Sequence, residues 1–355
     1  MSRVLFVLKR RENFDPIKHN EISLQCGLYN SIYYVHNMLL SQNIESQLSI
    51  CIDNNCINGF IVKFKPTHVI VEALWVVPEK IKLLQSMYPD IKWIIRLHSA
   101  IPFFSIESSQ SMKWTAEYVK IPNVFIGVND MRLFQELDIY LSAIVKETKI
   151  IYLPNYYPTD NFKNYNKNLI EKDGIDISCF GAIRPFKNVL TQAIASIEFC
   201  KRNNKKLIFH INSDRNELNG STVFTNLLNM FLNLDENEYK LVCHPWKKRD
   251  DFLEICKTID IGLQVSFTET FNIVSADLVS NGVPVLGSSE IPWLNVSCIA
   301  NPVDIEHIVN QISYVYNNSE KNVRDNQDSL LKYTNETIKI WKEYLQWNFQ
   351  ESEFM

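Results

Sequence analysis

The sequence predicts an α/β protein of two Rossmann-like domains, each built on a parallel sheet. Three observations carry this. Short β-branched runs alternate with longer amphipathic stretches along most of the chain, the pattern of βαβ units. At 355 residues the chain exceeds what one hydrophobic core ordinarily supports. The alternation breaks once, in a polar stretch without periodicity at 155–174, and then begins again.

In the first half, strands are predicted at 4–8, 47–52, 68–72, 93–97, 124–128 and 150–153, with helices at 28–41, 78–88 and 131–141. The run Val124-Phe125-Ile126-Gly127-Val128 has no polar alternation, as expected of a strand buried on both faces. In the second half, strands are predicted at 175–180, 207–211, 240–244, 259–265 and 284–286. Helices are predicted there at 189–202, 223–232, 250–255, 273–280 and 304–317. An aromatic-rich amphipathic pattern at 336–349 closes the chain. The expected domains are 1–154 and 155–335.

Composition adds few constraints. Hydrophobic residues make up 46% and charged residues 21%, as in ordinary soluble globular proteins. A net charge of −4 gives no general pull toward nucleic acid or membrane. Positive charge is concentrated only at Lys9-Arg10-Arg11 and Lys247-Lys248-Arg249. None of the 8 cysteines forms a CxxC pair, and no histidine cluster has zinc-ligand spacing, so no metal is expected. Free thiols in a reducing cytosol is the reading that follows. The apolar start at 4–8 is too short for a signal peptide, and no run reaches the roughly 18 apolar residues of a membrane span. A cytoplasmic location is therefore expected, and the Asn-x-Ser/Thr matches at Asn219, Asn295, Asn317 and Asn335 carry no weight.

Ligands of open parallel sheets bind outside the carboxyl ends of strands, so the residues just after each strand are the informative ones. After 175–180 come Gly181, Arg184 and Lys187, at the start of a helix. A guanidinium and an ammonium there suit a diphosphate, although the same pair also fits a solvated surface. After 259–265 come Ser266-Phe267-Thr268-Glu269, and the next helix begins near Asn272. The amides of Thr270, Phe271, Asn272 and Ile273 would meet a phosphate, and Glu269 would accept hydrogen bonds from sugar hydroxyls. Asp277 follows two turns later. Read alone, Glu269 and Asp277 are better taken as a helix-start charge and a solvated face residue.

Gly181, Arg184 and Lys187, then Glu269, seven residues, an acid and Gly282-Val283-Pro284-Val285, together resemble the donor half of family-four retaining glycosyltransferases of the GT-B fold, and specifically a phage or viral type of member. The resemblance implies two Rossmann-like domains with a cleft between them, and a C-terminal helix at about 336–352 that returns to pack on the first domain. It implies that Arg184 and Lys187 neutralise the diphosphate of a nucleotide sugar, UDP-linked by family habit, while Glu269 touches the transferred sugar. Asp277 would hold the ribose, as a shorter acid than the glutamate usual in the family. It also assigns an active-site role to His98, at the end of strand 93–97, and matches Leu153-Pro154-Asn155 to the interdomain crossover. Gly27 matches the family's glycine-rich acceptor loop only in part, since the paired glycines are missing.

The implied reaction is a front-face displacement in which the leaving diphosphate helps deprotonate the acceptor. It needs no cofactor beyond the co-substrate, and no Asp-x-Asp follows a strand to hold a metal. Lys9, Arg10 and Arg11 follow the first strand and suit an anionic acceptor, equally with facing water. Glu72, at another strand end, would orient the acceptor hydroxyl. The candidate acceptors are DNA carrying a hydroxymethylated base, extruded to be reached, a glycan or a lipid. DNA would place the enzyme in a virus-infected cell. His244-Pro245-Trp246 either lines the nucleobase or forms a surface turn. The rival readings are a nucleotide-sugar sensor without turnover and a sugar-nucleotide epimerase.

Overall fold

Eleven β-branched runs become strands in the computed structural model, which describes residues 2–10, 27–147, 149–169 and 171–350. Contacts divide the chain into two units, Met1–Pro158 with Thr334–Met355, and Thr159–Tyr333.

In the first unit the strands are β1 (Arg3–Lys9), β2 (Glu45–Cys51), β3 (His68–Glu72), β4 (Lys92–Leu97), β5 (Val124–Val128) and β6 (Ile150–Tyr152). They form one parallel sheet in the order β2-β1-β3-β4-β5-β6. The chain runs outward from β1 to β2 and then crosses to β3 on the other side. The switch point, where ligands of such sheets bind, therefore lies between β1 and β3. Every residue of β3 is buried, its polar ends His68 and Glu72 included, as expected of a strand covered on both faces. Helices α1 (Gly27–Ser41), α3 (Pro78–Met87) and α6 (Met131–Ser142) lie at the predicted places. Three helices of this unit had no sequence expectation: α2 (Cys56–Phe64), α4 (Ile101–Glu107) and α5 (Ser111–Tyr118).

The second unit repeats the plan with β7 (Gly174–Cys179), β8 (Lys206–Asn212), β9 (Tyr239–His244), β10 (Ile261–Gln264) and β11 (Val285–Gly287). Their order, β11-β10-β7-β8-β9, puts the switch point between β7 and β10. Helices α7 (Val189–Arg202), α8 (Gly220–Leu232), α9 (Arg249–Thr258) and α10 (Ile273–Ser280) fill the crossovers, and α11 (Ile305–Asn317) follows the last strand.

The last helix corrects an expectation. Helix α12 runs Ser319–Gln350, beginning 17 residues before the predicted 336. Its first turns are polar because two buried asparagines act as backbone partners. Asn322 accepts from the Val285 amide at 2.8 Å and donates to the Val285 carbonyl at 3.0 Å, so it pairs with β11 as a strand would. Asn326 accepts from the Asn295 amide. Hydrophobic periodicity cannot register such a helix face. Further along, Trp341 is fully buried, stands 6.1 Å from Phe6 and donates to the Pro154 carbonyl, so this part of the helix packs on the first unit's core.

His68 makes that core sensitive to acid. Burial first, then the nearby Lys92, lower its pKa to about 4. The ring bonds Thr67 through Nδ1 and lies edge-on to Tyr344, and its buried Nε2 has no partner among the described residues. A histidine held neutral in the fold contributes stability above about pH 6.5, its unfolded value. That stability is lost as pH falls toward about 4. Urea unfolding midpoints are expected to fall across this window, and the slope to flatten in His68→Phe. An unchanged slope in the variant counts against this assignment.

Candidate functional site

The carboxyl ends of β7 and β10 hold the predicted donor residues. Gly181 takes φ +117°, a conformation natural to glycine, and its amide donates to Asn212 Oδ1 at 2.8 Å. The chain then enters a short 3-10 turn, Pro185–Lys187, capped by Arg184 and closed by left-handed Asn188. Helix α8 presses on this loop, for a Cβ on Gly220 would lie 2.0 Å from the Ile183 carbonyl oxygen. Close packing there leaves no slack in the approach to Arg184.

Hydrogen bonds fasten this loop to the end of β10. The Phe267 amide donates to the Phe186 carbonyl at 2.9 Å. Gln192 accepts from the Val265 amide and donates to the Lys187 carbonyl, and Asn188 donates to the Val265 carbonyl. Gln264 donates to the Phe180 carbonyl and accepts from Asn272. The two loops are thus one rigid piece, built largely from buried amide side chains.

On that piece Lys187 Nζ meets Glu269 Oε1 at 2.5 Å, with side chains 16% and 10% exposed. Arg184 is held by Glu217, Nε to Oε2 at 2.7 Å, and Glu217 also receives Arg215 Nε at 2.5 Å. Burial raises the Glu217 pKa, but the charges and hydrogen bonds of Arg184 and Arg215 outweigh it and hold it low. Three cations here face two carboxylates, which leaves one positive charge. Arg215 also lies 5.1 Å over the Trp246 ring. Arg215 and Glu217 had no sequence expectation, although they follow β8 and the rule of looking past each strand end would have found them.

Thr270, Phe271 and Asn272 lead into α10. Asn272 is its N-cap and takes the Ser275 amide, leaving the other first-turn amides without an intrahelical partner. Phe271 is buried, and its carbonyl accepts from Trp293. The buried hydroxyls of Ser266, Thr268 and Ser275 have no hydrogen-bond partner among the described residues. Asp277 is 1% exposed and is gripped by both terminal nitrogens of Arg249. It is neither a solvated face residue nor open to a ligand in this state, and Arg249 was noticed in the sequence only as part of a basic run.

In the first unit, Lys9 is the exposed last residue of β1, and the Arg10 amide donates to the Cys51 carbonyl at 2.7 Å. Gly27 is the first residue of α1, whereas Arg11 and the segment before Gly27 lie outside the described residues. Glu72 departs from its expected role. Its side chain is fully buried and accepts from Arg96 at 3.3 and 3.4 Å and from His98 Nε2 at 2.5 Å. With no exposed surface, it fixes the ring of His98 instead of meeting an acceptor. Burial lowers the His98 pKa against the opposing pull of Glu72, so its ring is held toward the neutral form.

Among the described residues no group of three His, Cys, Asp or Glu side chains is placed to hold a metal. No described helix is long and apolar enough to cross a membrane.

No family model and no curated protein matches the chain. Solved structures do. Sucrose-phosphate synthase from Thermosynechococcus elongatus superposes with a TM-score of 0.68 at 11% identity, covering 99% of this chain and 100% of that one. A UDP-forming α,α-trehalose-phosphate synthase from Burkholderia xenovorans gives 0.66 at 10% identity, covering 99% of each chain. HepE from Anabaena, solved in complex with UDP, gives 0.62 at 12% identity, covering 99% and 100%. The chain therefore has the α/β fold of two parallel sheets found in GT-B glycosyltransferases.

Proposed function

We propose that the protein is a retaining glycosyltransferase of the family-four type, whose second unit binds a UDP-linked sugar. The observation that carries this reading is the Lys187–Glu269 pair beside Arg184 at the switch point of the second sheet. Arg184, Lys187 and the start of α10 take the diphosphate, and Glu269 takes hydroxyls of the sugar. Structural neighbours named as UDP-forming or solved with UDP support the choice of nucleotide.

In the reaction the bond from sugar C1 to the phosphate oxygen breaks. The acceptor oxygen bonds C1 from the same face, and its proton passes to the leaving phosphate. Negative charge grows on that phosphate, and the two cations stabilise it with no reorganisation at the moment of reaction. His98, oriented by buried Glu72, is assigned to the sugar, and Lys9 and Arg10 to an anionic acceptor. DNA with a hydroxymethylated base is the acceptor inferred from the sequence. A sugar phosphate is the second reading, because a trehalose-phosphate synthase of this fold was solved with glucose-6-phosphate.

The test incubates the protein with labelled nucleotide sugars and hydroxymethyl-base DNA, sugar phosphates, glycans or lipids, and reads product mass and anomeric configuration. Transfer with retention, lost in Glu269→Ala and Arg184→Ala, is expected. Binding without turnover would make the chain a sensor, and interconversion of free sugar nucleotides an epimerase.

A further inference from the structure

Glu217 stands between two arginines at the carboxyl edge of the second sheet. Its loop follows β8, and the backbone there carries the sheet's pairing beyond the strand ends. Ile183 and Asn216 form a parallel bridge, in which the Ile183 amide donates to the Arg215 carbonyl at 2.9 Å and the Glu217 amide to the Ile183 carbonyl at 3.0 Å. Arg184 is the next residue after Ile183, so the bridge fixes its backbone beside Arg215 and Glu217. The turn after Glu217 is as constrained. Leu218 and Asn219 both take left-handed φ, +49° and +69°, a strain that persists only where packing over-determines a loop.

The two oxygens of Glu217 are divided between the arginines. Oε2 receives Arg184, from Nε at 2.7 Å and from Nη2 at 2.5 Å. Oε1 receives Arg215 Nε at 2.5 Å. Arg215 is itself held in place, its guanidinium 5.1 Å over the ring of Trp246, whose amide donates to Asp214 Oδ2 at 3.1 Å. A lone guanidinium and a carboxylate commonly close a two-pronged pair, with one nitrogen on each oxygen. Such a pair is neutral, and it competes with a phosphate for the same nitrogens. Here Arg215 fills the place of the second prong.

The inference rests on the donor-site reading above, in which Arg184 meets the diphosphate. We propose that Arg215 is a positioning residue for that site: by occupying Oε1 it keeps Glu217 from closing on Arg184 with both oxygens. Glu217 then aims the Arg184 guanidinium without cancelling its charge, and the guanidinium yields to an arriving diphosphate. Arg215 acts through Glu217 and touches no part of the donor.

The experiment titrates the full chain with inorganic pyrophosphate and with UDP, in a double-mutant cycle of Arg215→Met and Glu217→Gln. Arg184→Met serves as the reference, and thermal unfolding checks that each variant folds. Arg215→Met is expected to weaken both ligands by the same factor, about fivefold or more, because they share the diphosphate. In the Glu217→Gln background the same substitution should cost less than about twofold, since an amide cannot close the neutral pair. A purely structural role, or direct contact of Arg215 with phosphate, gives the same loss in both backgrounds, and that result would overturn the proposal. So would an unchanged affinity in Arg215→Met, or a loss confined to UDP, which would place the action of Arg215 on the base through Trp246. Should Arg215→Met not fold, Arg215→Gln takes its place in the cycle. If neither ligand binds the wild type, or if Arg184→Met leaves pyrophosphate binding intact, the donor-site reading fails and this inference falls with it.

Discussion

Lys187→Met is expected to lower sugar transfer about a hundredfold or more at saturating donor, the cost of deleting a charge-stabilising group from a transition state. The substitution keeps the aliphatic stem and removes the charge. Glu269, only 10% exposed and paired with Lys187 at 2.5 Å, then loses its cation beside the phosphate on which charge develops. Both changes disfavour the departing diphosphate. The loss should appear in kcat more than in KM, because Arg184 and the start of α10 still hold the donor. Lys187→Arg should recover part of it, limited by the different shape of a planar fork. A Lys187→Met variant with wild-type kcat would remove Lys187 from the mechanism.

The second large effect lies in the first unit. Arg96 is fully buried and donates to the Leu153 carbonyl at 3.1 and 3.0 Å, to Asn155 at 2.6 Å and to both oxygens of Glu72. Its guanidinium also stands 5.4 Å over the Trp341 ring. Arg96→Leu removes all of these and leaves Glu72 buried with His98 as its one remaining side-chain partner among the described residues. Breaking a buried pair from one side costs about 3–5 kcal/mol, which chemical unfolding followed by tryptophan fluorescence would read. Adding Glu72→Met should restore part of the stability, since a pair replaced by apolar groups leaves no buried charge uncompensated. It should not restore transfer, because His98 loses the carboxylate that holds its ring. A double variant no more stable than Arg96→Leu alone would show that the carboxylate is not the source of the cost.

These two sites differ in how much of them the chain announces. Lys187 and Glu269 were legible because each follows a strand whose apolar run is unmistakable, and topology brings both strand ends to one switch point. The partners of the cationic and acidic residues were not. Glu217 lies 33 residues from Arg184, and Arg249 lies 28 from Asp277. No spacing rule links loops that meet only after the sheet has formed. Glu72 shows the opposite error: its place at a strand end suggested a ligand, whereas Arg96 and His98 enclose it completely.

Read without coordinates, the chain determined its α/β class, its strands and most of its helices, and which residues stand at the carboxyl end of the second sheet. Those features follow from local periodicity and from the burial of parallel strands on both faces. Only the tertiary structure decided which charges pair, that α12 begins in polar turns against β11, and that Asp176, His210 and His244 form one line. Polar contacts between segments far apart in sequence depend on register and loop packing, and a single chain of letters records neither.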